Sequence, residues 1–242
     1  MPESAEDDLH PYIHGIKGVR NIAYWNMSLS GTLTSADFMN LAPGFREVGT
    51  TLVREVPIEE LRDNPRAATG AVLPRLLGVI QAAMIRSGMT VGMGAPPYPF
   101  HPFPPDLCDR IVRIADMELL LERIRRETAP GAPSRLSCIW LADNTTEART
   151  WISQMFGAQT LIVPIRVEAA LATVRLDARW LPASPLDVDE DLAAGYWSGQ
   201  ARTDDPAWET LVEGIVCCDD EEGRALLRAY VQRYPPATWS SP

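Results

Sequence analysis

The sequence predicts an α+β fold, on three observations. Two stretches, 72–86 and 106–127, carry apolar residues at helical spacing. A run from Leu136 to Leu141 is apolar on both faces apart from Ser137, as a strand buried on both sides would be. The chain also lacks the glycine loop of a parallel nucleotide-binding sheet. Gly92-Met93-Gly94 has neither a third glycine nor a strong strand before it.

Taken in order, residues 1–35 read as an acidic N-terminal extension, followed by one domain over 36–232 and a loose proline-containing tail over 233–242. His10 and His14 are four apart, a metal-ligand spacing only on a helix, and Pro11 and Gly15 argue against that helix. Asp37 to Val56 reads as strand, Pro43-Gly44 turn and strand, because its second half is rich in Val and Thr. Val72 to Arg86 carries an apolar stripe closed by Ser87-Gly88. Gly92 to Pro105 is too rich in proline for a helix or a central strand. It is expected to be a stiff loop, either a connector or, at 95–105, a docking site for a protein partner.

Asp106 to Glu127 is the clearest helix, with Asp106 as its expected cap and Arg123, Arg125 and Arg126 on a solvated face. Pro133 ends what precedes it, and the strand through Trp140 follows. On such a strand Arg135 and Ser137 share a face, since side chains alternate with a period of two. A five-donor fork is costly to bury unpaired, so Arg135 either grips a ligand or meets a structural carboxylate. A helix over 145–156 stopped by Gly157, a strand over 160–167 placed at an edge or bulge by Pro164, and a shorter strand over 173–176 come next. A short helix over 187–197, an apolar strand over 208–218 and a final helix over 221–230 complete the pattern.

A net charge of −10 repels phosphates and lowers the expectation of a nucleic-acid or anionic-membrane partner. Four cysteines without a C-x-x-C pair suggest reduced thiols and no zinc site. No apolar run approaches the ~20 residues of a membrane span, so a soluble, cytoplasmic chain is expected. Motifs for serine hydrolases and zinc peptidases are missing as well.

Among the acids, Glu209 stands at the start of the 208–218 strand, where a carboxylate is either solvated or placed to act. Beside a sugar it could stabilise an oxocarbenium-like centre and accept a bond from the 2-hydroxyl. Three blocks together carry a resemblance. They are Pro133 to Ser137 with the following Glu147-Ala148 and Trp151 helix, then Gly195 to Gly199, then Glu209 to Gly214. As a set they resemble an uncharacterised bacterial domain family of the ADP-ribosyltransferase superfamily, over roughly residues 36–220. The last block is also similar to the E-x-Leu-Val segment of DNA-targeting ADP-ribosyltransferase toxins.

The resemblance implies a split pair of strongly curved β-sheets with flanking helices, gripping NAD in a cleft without a Rossmann fingerprint. It implies NAD as a substrate whose nicotinamide–ribose bond is cleaved, with ADP-ribose passed to water or to an unknown protein, nucleic-acid or small-molecule acceptor. Glu209 would be catalytic, Arg135 and Ser137 would line the nicotinamide ribose, and Tyr196 would pack on the cleft. In the first motif the superfamily carries His or Arg. Here Asn40 stands in its place and supplies no charge. Either Arg46 or Arg54 compensates, or the chain is a degenerate nucleotide- or protein-binding module on the same fold.

Overall fold

The computed structural model describes residues 11–16, 22–47, 49–71, 73–94, 99–157, 160–182, 187–218 and 220–233. The described strands are β1 (Tyr12–Ile16), β2 (Thr32–Thr34), β3 (Gly92–Met93), β4 (His101–Pro102), β5 (Ile139–Asp143), β6 (Leu161–Asp177) and β7 (Trp208–Cys217). The helices are α1 (Ile22–Ser30), α2 (Ala36–Asn40), α3 (Pro43–Glu47), α4 (Ile58–Asp63), α5 (Pro74–Arg86), α6 (Pro105–Thr128), α7 (Thr146–Phe156), α8 (Glu190–Trp197) and α9 (Glu221–Arg233). The fold is α+β with a curved antiparallel sheet, ordered β2-β7-β5-β1-β6, and β6 also pairs with β7. That second pairing bends the sheet back on itself. The first part of β6 pairs with β1 and the remainder with β7, through register shifts at Val167/Ala169 and Ala170/Ala172. Bulges of this kind increase local twist and allow one strand to serve two neighbours.

Two helical layers cover the sheet. Ile16, Leu141, Val163, Val212 and Val216 pack with Tyr24 and Met27 of α1 and with Leu227 and Val231 of α9. On the other face Ile13, Trp140, Leu176 and Leu211 pack with Leu121 and Ile124 of α6, Ile152 of α7 and Tyr196 of α8. A third cluster joins α4, α5 and α6 through Leu61, Leu76, Val79, Ala115 and Leu119. Alternation along β7 therefore sends 209, 211 and 213 one way and 210, 212 and 216 the other.

Several expectations are corrected here. Within the stretch 1–35, Tyr12–Ile16 and Thr32–Thr34 belong to the domain's sheet rather than to a separate extension, because β1 lies between β5 and β6 and β2 pairs with the end of β7. Residues 37–56 form α2, α3 and a 3-10 turn at Val53–Glu55 rather than a hairpin. Side chains supply the reason. Asp37 Oδ1 accepts from Val53 N at 2.8 Å, and Asn40 Nδ2 donates to Thr51 O at 3.1 Å, so the Val/Thr-rich segment is held without strand ladders. Local polar bonds have overridden β propensity.

Residues 135–138 are a turn, and β5 begins only at Ile139. Ser134 makes that turn: its carbonyl accepts from Ser137 N and Cys138 N, and its Oγ accepts from Leu136 N. The stretches 160–167 and 173–176 are one 17-residue strand, and Pro164 lies where β6 pairs only with β1. In the 92–105 loop, Gly92–Met93 pairs with His101–Pro102; residues 95–98 of the expected docking segment lie outside the described residues. The 234–242 part of the tail lies outside them too. Arg125 is not on a solvated face but buried, bidentate on Glu122, while Arg126 donates to Val53 O and Val56 O.

Among the described residues no helix is long and apolar enough to cross a membrane.

Candidate functional site

Three of the residues expected at the site converge. Arg135 from the turn before β5, Tyr196 from α8 and Glu209 from β7 meet under α6. Arg135 Nη1 donates to Glu209 Oε1 at 2.8 Å and to the Tyr196 hydroxyl. That hydroxyl in turn donates to the same Glu209 oxygen. Glu209 Oε2 accepts from Trp140 Nε1. The other side of the guanidinium faces Glu118 of α6, with Nε at 3.0 Å and Nη2 at 3.2 Å from its two oxygens. Arg75 of α5 approaches Glu118 at 3.5 Å.

This cluster is closed. Relative exposure is 5 % for Arg135, 3 % for Glu209, 4 % for Glu118 and 0 % for Tyr196. Glu209 is thus neither the solvated carboxylate nor an open catalytic one. Burial by itself would lower the Arg135 guanidinium, but Glu118 leads the charges that outweigh it and hold it raised. Burial would likewise raise Glu118, and Arg135 and Arg75 overcome it, leaving that carboxyl lowered. The Tyr196 hydroxyl is pushed well up, first by burial. Two arginines and two glutamates balance in charge, and the Arg135 fork is matched on both edges, while Arg75, its side chain 31 % exposed, meets Glu118 through Nε at 3.5 Å. Chemically, this is a set of donors and acceptors already used on one another.

The other two expected residues stand apart. Asn40 is 1 % exposed; its Oδ1 accepts from Ala71 N at 3.0 Å and its amide reaches Thr51 O, so it pins the chain on both sides of α4. Ser137 is fully buried, and its Oγ lies against the Asp37 carboxyl without a hydrogen bond of normal geometry. Its alternation with Arg135 is lost because the segment is a turn. His14 is a core residue. Nδ1 donates to Trp140 O at 2.6 Å and Nε2 accepts from the Tyr24 hydroxyl at 3.1 Å, and burial lowers the ring's pKa, which keeps it neutral. His10 lies outside the described residues. Among the described residues no three His, Cys, Asp or Glu side chains are grouped to hold a metal.

A second polar group was missed by sequence reasoning. Glu213 is 4 % exposed and accepts from Arg54 Nη1 at 3.1 Å, while the Arg54 side chain is 41 % exposed. Burial raises the Glu213 carboxyl, and the neighbouring Asp37 raises it further against the opposing pull of Arg54. Asp37 is raised as well, by its own burial. The available signal was the four-residue spacing of Glu209 and Glu213, which puts both on one face of a strand. Glu118 also carried a signal. With Ala115, Leu119, Glu122 and Arg125 it falls on one inward stripe of α6.

An open depression on α7, lined by Thr146, Arg149, Thr150, Ser153 and Gln154, holds none of these residues. In comparison with known proteins, residues 106–222 match the family described as "Protein of unknown function (DUF2441)". The match runs from α6 to the start of α9. It includes Arg135, Ser137, Tyr196 and Glu209 but not Asn40. No curated protein matches the chain.

Proposed function

We propose that the chain is a nucleotide-binding module on an ADP-ribosyltransferase-like fold, in which the Glu209 centre has become structural. One observation carries this reading: both Glu209 oxygens are occupied, by Arg135, Tyr196 and Trp140, inside a closed cluster. A carboxylate that stabilises a breaking glycosidic bond must be free to meet the sugar. Freeing Glu209 would strip buried Arg135 of a partner, and breaking a buried pair costs about 3–5 kcal/mol. That cost opposes catalysis at Glu209.

The active alternative is cleavage of the nicotinamide–ribose bond of NAD, with Glu209 as the carboxylate. It is favoured by the meeting of Arg135 with Tyr196 and Glu209, which lie more than 60 positions after it, at a single oxygen. It requires an opening of α8 or α6 from β7 that delivers Glu209 to the ligand.

The experiment is nicotinamide release from NAD by the purified chain, run beside Glu209→Gln, with a calorimetric titration of NAD. The module reading expects NAD to bind and no nicotinamide to appear. Release that falls at least ~100-fold in Glu209→Gln would overturn it in favour of catalysis. Failure to bind NAD would overturn both and leave a protein-docking module.

A further inference from the structure

β6 has a strand on only one side for most of its length. Residues 161–165 pair with β1 and 166–177 with β7, and among the described residues no strand lies on the other edge of that second part. The register shifts against β7 leave Glu168 and Leu171 without a facing residue. Residues 168–171 are all exposed, and Leu171, at 58 %, is one of the most exposed large apolar side chains described.

An unpaired edge offers a row of backbone donors and acceptors to any passing strand, and folded proteins protect it with charge, proline, bulges or short length. Short length protects β2, which has three residues. On β6 the protection is confined to the ends. Pro164 lies in the part paired with β1, and the bulges twist the edge only as far as Leu171, after which 172–177 keep a regular register with β7. Between Glu168 and Arg175 the run Ala-Ala-Leu-Ala-Thr-Val carries neither charge nor proline. Its mostly small side chains leave the backbone open to strand addition.

The flanking charges select the occupant. Glu168 and Arg175 stand at opposite ends of that run, both half-exposed. Two antiparallel copies, related by a two-fold axis between Leu171 and Ala172, bring Glu168 of each opposite Arg175 of the other. Within one chain these side chains pair with Arg166 and Asp143, exposed ion pairs of the kind that contributes little and exchanges readily.

We infer that the β6 edge over 168–175 is a docking surface for a second copy of this chain, which continues the sheet antiparallel across a two-fold axis. This is independent of the nucleotide-binding reading. Backbone bonds join the two strands, the two Glu168–Arg175 pairs set their register, and Leu171 is covered beside the axis. So short an edge makes a small interface, and the dimer is reversible and concentration-dependent.

The test is sedimentation equilibrium of the full chain over a wide range of concentration, up to about 100 μM. The apparent mass is expected to rise from 26.7 kDa toward twice that value. Leu171→Lys sets like charges beside the axis and should hold the chain monomeric. Leu171 is exposed and has no facing residue on β7, so this variant keeps the fold, and thermal unfolding checks every variant. Glu168→Arg and Arg175→Glu should each be monomeric alone, because each opposes like charges. An equimolar mixture of the two should dimerise, since every facing pair is then opposite in charge. A parent chain that stays monomeric throughout would overturn the inference. So would a dimer that Leu171→Lys leaves undiminished, because its interface would lie elsewhere. Folded charge variants whose mixture stays monomeric would overturn the antiparallel register.

Discussion

Arg135 Nη1 lies 2.8 Å from Glu209 Oε1, joining the turn before β5 to the first residues of β7, while Nε and Nη2 of the same guanidinium hold Glu118 of α6. With Tyr196 donating from α8, one side chain ties two helices to the sheet. The apolar face around it, from Leu121, Leu176 and Leu211, supplies burial without direction. The charged fork supplies the register in which α6 and α8 sit.

Arg135→Met tests this. It keeps much of the apolar volume but leaves Glu118 and Glu209 without their shared counter-charge. Loss of about 3–5 kcal/mol is expected in urea unfolding, as for a buried pair broken from one side. Adding Glu209→Gln should recover part of that loss, since one stranded charge is removed. A purely ligand-gripping Arg135 would leave the unfolding midpoint almost unchanged.

Asn40→Ala should also act on stability. It deletes the partner of Ala71 N and of Thr51 O, two backbone groups on either side of α4. A loss of about 1–3 kcal/mol is expected from leaving such groups unmatched. Hydrogen exchange should rise at the amide of Ala71. Were Asn40 a nucleotide contact alone, exchange there would not change without ligand.

Gly214 makes a different kind of prediction. A Cβ built on it would stand 2.0 Å from Ala169 O and 2.7 Å from Ala170 Cα, both backbone atoms at the bulge of β6. Gly214→Ala must therefore shift one strand of the pair. Overpacking of this kind costs about 1–3 kcal/mol. A thermal midpoint equal to that of the parent would show that β6 does not cross β7 so closely.

The sequence made the regular elements legible where a single signal dominated. Thr145, the first residue of the stretch read as helical, caps α7 through Ala148 N, and α5 and α6 follow their apolar stripes. It misled where side chains replaced backbone partners. Val53 has strand composition, but its amide is taken by Asp37, a residue whose reach is not encoded in any period. Tyr12 to Ile16 was missed as a strand because five residues with a glycine carry too little alternation, and its partners lie over 100 positions away. At the candidate site, the meeting of Arg135 and Glu209 came from the resemblance. That the meeting is closed depends on Glu118, which lies on the inward stripe of α6, and on Trp140, whose indole N–H bond to Glu209 no pattern in its segment announces.

The two raised acids give a pH dependence with a definite sign. Asp37 and Glu213 both have carboxyls raised in the folded state, chiefly by burial, so the native chain holds protons that the unfolded chain releases. Stability then falls as pH rises from the ordinary values of 3.8 and 4.5 through their higher folded values. Glu118 works oppositely. Its folded carboxyl is lowered, so its contribution is present above 4.5 and is lost as pH falls through its folded value. Asp37→Asn removes one raised acid while preserving an acceptor for Val53 N. The variant should gain stability relative to the parent on the alkaline side of the window and lose part of the decline with pH. Urea unfolding of both proteins across pH 4 to 8 measures it. An Asp37→Asn curve parallel to the parent through the window would mean that Asp37 is not held protonated by its burial.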